Sequence, residues 1–508
     1  MCSRLFVNMR AAINRLPRSE NMKRNLVVIL CVSARFFTCL MMASWMVAAE
    51  PLAAQDLKVG YFEVDASPDI GSPLAYDPCV EVSDQLSCRG VVIVGAGEPI
   101  VLVTVDWLGI ANDGHEEFRQ RLAAAIGSKG DRVSLHALHQ HDAPRCDLGA
   151  MRLLEQAGCT KQHYDRMLWQ RVLENALTEV KRAIGEAKSF DQIGYGEGEV
   201  QDVASNRRLL DANGKVVVTR YTATKDPVVR AMPTGTIDPK LRLISFWKGD
   251  EPIVALTYYA THPQSYYRTG KANPDFPGLA RNSFAKKMGL PVVHFNGAAG
   301  NIGAGKWNDG SVENRAVLAG KIEAGMEKAW KATQRSRVAA RDVEWKSIPV
   351  RLQPAGHLQR AALEAAVADA NADPVMRLNS AEHLSYLNRF ERGGAIDVGR
   401  LKLADAQIVH MPGELFVEYQ LAAAAMVPGG KVALAAYGDY GTAYIGTAIG
   451  YQQGGYETSN RATCVGAEAE SILVGAMKEL LGAQERQVGP LGVPPDPPAV
   501  GPALENPK

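Results

Sequence analysis

The 508-residue chain carries 56 Lys plus Arg against 55 Asp plus Glu, a net charge of +1, with 46% apolar and 22% charged residues. That is the composition of an ordinary soluble protein, and it excludes a disordered chain, a collagen-like chain and a polytopic membrane protein. There is also no basic surplus of the kind nucleic-acid binding needs.

The charge is unevenly placed. Residues 1–54 hold 7 basic and 2 acidic residues, which leaves 49 basic and 53 acidic residues in the remainder. A basic stretch, Met22-Lys23-Arg24-Asn25, precedes an apolar one from Leu26 to Ala49, and small residues follow at Val47-Ala48-Ala49 and Leu52-Ala53-Ala54. This is the three-part layout of a secretory signal. The apolar run is also long enough for an uncleaved membrane anchor. Either reading puts the body outside the cytoplasm, periplasmic or secreted. In an oxidising compartment the short-range cysteine pairs Cys79–Cys88 and Cys146–Cys159 are natural disulfides, with Cys464 left over, although spacing does not fix connectivity.

Along the body, residues 55–484, strand-like runs are expected at Gly90–Gly95, Ile100–Asp106, Val133–His139, Leu241–Trp247, Ile253–Thr261, Val292–Asn296 and Leu401–Met411. Helical periodicity falls at His115–Gly127, Lys161–Lys188, Gly278–Met288, Ser311–Trp330, Leu358–Asp373 and Glu414–Met426. Mixed strands and helices over this length predict an α/β (mixed α+β) body, one large domain with a mixed sheet core and flanking helices. Residues 490–508 contain seven prolines, so 485–508 reads as a disordered tail. Gly95-Ala96-Gly97 reads as a hairpin turn, and Gly300–Trp307 as a near miss to a phosphate-binding loop, with Trp307 where a hydroxyl would hold magnesium.

Four places collect ligand-type side chains at strand ends, where functional residues often sit. They are His139-Gln140-His141, Thr261-His262, Pro412-Gly413-Glu414 and the Tyr- and Gly-rich loop from Tyr437 to Glu457. In a strand, residues i and i+2 share a face, so His139 and His141 are expected to point into one site while His136 packs on the opposite side. Two His and one carboxylate form a familiar catalytic zinc set.

In the order and context of these places the chain resembles the neutral (non-lysosomal) ceramidase family. His139-Gln140-His141-Asp142-Ala143-Pro144 is similar to that family's His-Thr-His-Ser-Gly-Pro. Asn206-Arg207, Thr261-His262 with Asp275-Phe276-Pro277-Gly278, Pro412-Gly413-Glu414, and the tyrosines Tyr444 and Tyr456, twelve apart, resemble its other site segments. The resemblance covers about residues 57–482 and implies the catalytic domain without the family's C-terminal immunoglobulin-like domain. It implies zinc (Zn2+) held by His139, His262, Glu414 and Tyr444. It further implies His141, Arg207 and Tyr456 as catalytic groups around an amide carbonyl attacked by metal-activated water. The implied substrate is a small-molecule or lipid N-acyl compound, which is compatible with contact to a membrane surface; the sequence sets no oligomeric state. One departure stands out. The family carries Gly-Asp-x-Ser-Pro where this chain has Gly300-Asn301-Ile302-Gly303-Ala304, so an active-site Ser becomes Gly303. A serine nucleophile is therefore excluded at that position and a metal-water route survives. The alternatives are the same zinc site acting on a non-ceramide amide, ester or sugar derivative, or a lipid- or glycan-binding pseudoenzyme.

Overall fold

The computed structural model describes residues 56–159, 163–483 and 490–492. The proposed export segment therefore lies outside the described residues, as does the Pro-rich tail apart from 490–492. Among the described residues, no helix is long and apolar enough to cross a membrane.

Three sheets form the centre. The first orders the strands Val133–Ala137, Ile100–Val105, Ser87–Val94, Lys58–Asp65 and Lys188–Ser189. The second orders Val292–Asn296, Glu251–Tyr259, Lys240–Lys248, Gln192–Glu199 and Gln334–Arg337. The third orders Val343–Val350, Ile396–Leu403, Ala406–His410 and Lys431–Ala435. Each sheet is mostly antiparallel but holds one parallel pair, with Ile100–Val105 beside Val133–Ala137, Glu251–Tyr259 beside Val292–Asn296, and Ala406–His410 beside Lys431–Ala435. Ile100–Val105 is apolar on both faces apart from Thr104 because it is buried along its whole length.

One buried cluster joins all three sheets, with Val91 and Leu102 from the first, Leu256 and Phe295 from the second, and Leu401 and Ile408 from the third. Helices cover the outer faces. Phe118 of Asn112–Ala125 and Val172 of Arg166–Gly185 pack on the first sheet, and Phe284 of Asp275–Met288 and Ile322 of Val312–Lys331 pack on the second. The mixed α/β expectation is met.

Several boundaries differ from the sequence reading. Leu401–Met411 is not one strand; Ala404 at φ +55° turns the chain between Ile396–Leu403 and Ala406–His410. The helix expected over Leu358–Asp373 is Arg360–Ala368, and Asp373 instead caps the next helix, Pro374–Glu391, by accepting from the Val375 and Met376 amides. Gly95 and Gly97 do form a hairpin turn, between Ser87–Val94 and Ile100–Val105.

The expected disulfides are not present. All five cysteines of the body are free thiols. Cys88 is buried in the strand Ser87–Val94, Cys79 donates to the Glu81 carbonyl at 3.5 Å, and Cys146 fits against Gly114, so each serves the core beneath the first sheet.

Candidate metal centre

The carboxyl ends of the parallel strands converge. Val133–Ala137 leads to His139 and His141, and Glu251–Tyr259 leads to His262. Ala406–His410 leads to Glu414, and Lys431–Ala435 to the tyrosine loop. Two main-chain bonds lock the three sheets together at this end. The Ala137 amide donates to the Tyr437 carbonyl and the Ala436 amide to the Asn296 carbonyl, both at 2.9 Å.

His139 does not share a strand face with His141, as the spacing suggested, because the strand stops at Ala137. His139 instead adopts φ +76°, a conformation that a non-glycine residue holds only when its surroundings impose it. The surroundings are its amide donating to the Trp107 carbonyl at 2.9 Å and its Nδ1–H donating to the Leu108 carbonyl at 2.6 Å. That leaves the Nε2 lone pair facing inward, 3.3 Å from Glu414 Oε2. His136, by contrast, lies in the strand and faces away, as expected, contacting the Ala436 carbonyl and His410.

Glu414 was expected at the start of a helix. It lies instead in the short strand Glu414–Leu415, which pairs in parallel with Tyr444–Ile445, Glu414 opposite Tyr444. This ladder is why two residues thirty apart enter one site. Gly300 is required beneath it, since a Cβ there would stand 2.3 Å from the Glu414 carbonyl oxygen.

His262 places Nδ1 3.8 Å from Glu414 Oε2 and Nε2 3.1 Å from His141 Nε2. One ring nitrogen from each of His139, His141 and His262 lies within 4.8 Å of the other two, a group that could hold a metal ion. His141 Nδ1 is met by the Gln264 amide nitrogen at 3.0 Å and the Tyr76 hydroxyl at 2.9 Å. Reading Nδ1 as the acceptor from Gln264 puts the proton on His141 Nε2, which then donates to His262. Burial holds His141 and His262 well below the usual imidazole range, so both are neutral.

Arg207 is buried. The bridge of Ser205–Asn206 to Ile302–Gly303 sets it beside Gly303. It reaches the Tyr444 hydroxyl at 3.3 Å and Glu457 at 3.3 Å. Burial opposes its charge, but Tyr444 and Glu457 raise its pKa above the ordinary value. Burial also pushes the Tyr444 hydroxyl well up, with Arg207 pulling the other way. The Tyr444 ring stacks at 6.4 Å on His262, and Tyr456 meets Tyr444 edge-on at 5.8 Å.

Sequence reading missed Tyr440, whose hydroxyl donates to Glu414 Oε1 at 2.6 Å, and Tyr437, which stacks on His139 at 4.5 Å. Their signal was the density of tyrosines in the flagged loop. It also missed Glu457, which accepts from both Arg207 and Arg208. In front of His141, Glu414, Tyr444 and Tyr456 opens a cavity of about 290 Å3.

No family model and no curated protein matches the chain. Among solved structures it is similar to a ceramidase complexed with C2, with TM-score 0.63 and 15% identity over 84% of this chain and 75% of that one. It is equally similar to neutral ceramidase from Pseudomonas aeruginosa, with TM-score 0.63 and 16% identity over 84% and 74%. The fold is that of neutral ceramidase. Within that ceramidase fold the seven residues singled out in the sequence are gathered at one place, His139, His262 and Glu414 in mutual contact, His141 and Tyr444 beside them, Arg207 and Tyr456 on the rim of that group.

Proposed function

We propose that the protein is an exported zinc-dependent hydrolase that cleaves an N-acyl (amide) bond. The observation that carries this reading is a pair of facing, buried atoms with no hydrogen-bond partner, His139 Nε2 and Glu414 Oε2. Two such atoms are costly unless something binds both. A lone pair opposite a carboxylate oxygen, with the neutral His262 imidazole alongside, suits a divalent cation. His139, His262, Glu414 and Tyr444 are the residues that would hold it. Zinc in such a site supplies an acidified water and a Lewis acid for the carbonyl.

The remaining residues then have separate tasks. With the His262 Nε2 lone pair given to the metal, the His141 Nε2–H is free to donate to the carbonyl oxygen as it gains charge. Tyr456 stands across the cavity as the second donor, and either group is placed to pass a proton to the leaving nitrogen. Arg207, locked between Tyr444 and Glu457, keeps a positive charge behind the reacting carbonyl and favours the ionised form of Tyr444. No step needs a side chain at Gly303.

The reading is tested with a fluorescent ceramide and a short-chain N-acyl amide. Release of the acid from at least one of them, lost on chelation and restored by zinc, is the expected result. Zinc binding without turnover of any amide or ester would leave a binding protein instead.

A further inference from the structure

Three arginines, Arg145, Arg268 and Arg461, and three carboxylates, Asp147, Glu382 and Glu414, line the cavity, so its formal charges balance but are not all paired with one another. Glu382 is satisfied by Arg145 at 3.1 Å and by the Tyr164 hydroxyl at 2.9 Å. Asp147 accepts from Asn112 and Ser385, both at 2.7 Å, and from the Ala150 amide at 3.0 Å. Arg268 and Arg461 line the same cavity, and neither guanidinium has a carboxylate partner among the described residues.

Arg268 is firmly placed. Its backbone sits at φ +66°, held by Asp142, which accepts the Arg268 amide at 2.9 Å and the Thr269 hydroxyl at 2.6 Å. Its guanidinium lies 4.9 Å over the Tyr76 ring, and the Tyr76 hydroxyl is the one that meets His141. A free cation therefore stands one aromatic ring from the imidazole that faces the substrate. Arg461 comes from a separate segment and lines the cavity with Tyr456, whose hydroxyl burial pushes up and whose ionised form the Arg461 charge favours. A long acyl or sphingoid chain finds little here, since Leu108, Val375 and Leu378 are the large aliphatic side chains among the described lining residues. The volume, about 290 Å3, is at the small end of the usual range for ligand pockets.

We propose that the substrate is an N-acyl compound whose amine half carries a carboxylate or another anionic group, seated by Arg268 and Arg461 while the acyl carbonyl faces His141. This rests on the N-acyl hydrolase reading above. Hydrolysis breaks the C–N bond, places the hydroxyl of water on the acyl carbon and its proton on the nitrogen, and releases a carboxylic acid and an anionic amine. Charge-assisted pairing with a guanidinium is among the stronger recognition contacts, which makes the anion the discriminating feature.

The test compares N-hexanoylglycine with its neutral counterpart N-hexanoylglycinamide by equilibrium titration of the full zinc-loaded chain. The acid is expected to bind about tenfold more tightly, the size of effect one good charged contact gives. In the double variant R268A/R461A that ratio is expected to fall to about one. Equal binding of the two probes by the wild type, a ratio that survives in the variant, or binding of neither probe would overturn the proposal. Turnover is followed separately. Hydrolysis of both probes at equal efficiency sinks the anionic-substrate proposal and leaves the hydrolase reading intact. A tenfold binding preference without hydrolysis of any amide sinks the hydrolase reading, and with it the substrate role, and leaves only recognition of the anion by Arg268 and Arg461.

Discussion

His139 Nε2 and Glu414 Oε2 face each other at 3.3 Å inside the protein, and neither atom has a hydrogen-bond partner. They follow strands of different sheets, Val133–Ala137 and Ala406–His410, and the backbone at His139 is in a left-handed conformation where the two meet. Strain of this kind is kept where the surrounding structure over-determines it, commonly at functional sites.

His141 is the first place to separate a ligand from a neighbour. If its Nε2 carries the proton, His141→Ala retains zinc by elemental analysis and loses amide turnover by about 10²–10³-fold, as for one lost donor to a developing oxyanion. Loss of the metal in this variant would make His141 a ligand, the other role its closeness to His139 and His262 allows.

Tyr440 holds the second oxygen of Glu414 at 2.6 Å and so orients the carboxylate. Tyr440→Phe keeps the ring and removes the hydroxyl. Zinc affinity, measured by competition with a chelator, is expected to fall about 10–100-fold, the usual effect of removing a partner that orients a ligand. An unchanged affinity would show that Glu414 needs no such support.

Gly300 and Gly303 make opposite predictions although they are three residues apart. A Cβ at 300 would clash with the Glu414 carbonyl at 2.3 Å, whereas one at 303 meets Arg207 Cδ at 3.4 Å and His262 Cβ at 3.8 Å, ordinary contact distances. Gly300→Ala is expected to cost about 1–3 kcal/mol or more in denaturant unfolding, as overpacking does. Gly303→Ser is expected to unfold at the wild-type midpoint. Space for a side chain thus exists where the resembled family carries its serine, and destabilisation of the Gly303→Ser protein would refute that.

Much of the fold was legible in the sequence because most elements follow a single period. The runs Ile100–Val105 and Val292–Asn296 are mostly apolar and buried throughout, and Arg166–Gly185 is amphipathic behind an Asp165 cap. The strand Gln192–Glu199 was not, because Gly194, Gly196 and Gly198 argue against a strand. Their reason is tertiary: a Cβ at Gly196 or Gly198 would stand 2.0 Å or 2.2 Å from carbonyls of the helix Val312–Lys331 packed on that strand. The site residues were legible by type and by resemblance. Their geometry was not, since His139 leaves its strand before it turns inward and Glu414 reaches Tyr444 through a two-residue ladder. The expected disulfides failed because two cysteines close in sequence can each be core residues facing different neighbours.

The histidines outside the ligand set give a pH signature. Burial lowers His115 to about 4 and His136 and His294 to about 3, against 6.5 for the free side chain. The unfolded chain therefore binds protons first on acidification. Their contribution to stability is complete above pH 6.5 and is lost as pH falls from 6.5 towards 3. Denaturant unfolding between pH 7 and 4 is expected to show this decline, and His136→Asn to reduce its slope by up to about 1.4 kcal/mol per pH unit. An identical slope in the variant would contradict the assignment of His136 as buried and neutral.

Metal content is the most direct measure of the account as a whole. The full chain and the variants His139→Ala and Glu414→Ala, equilibrated with zinc, desalted and measured by elemental analysis, should give about one zinc per wild-type chain and essentially none in either variant, as expected for loss of a ligand. Equal zinc in all three proteins, or none in the wild type, would contradict it.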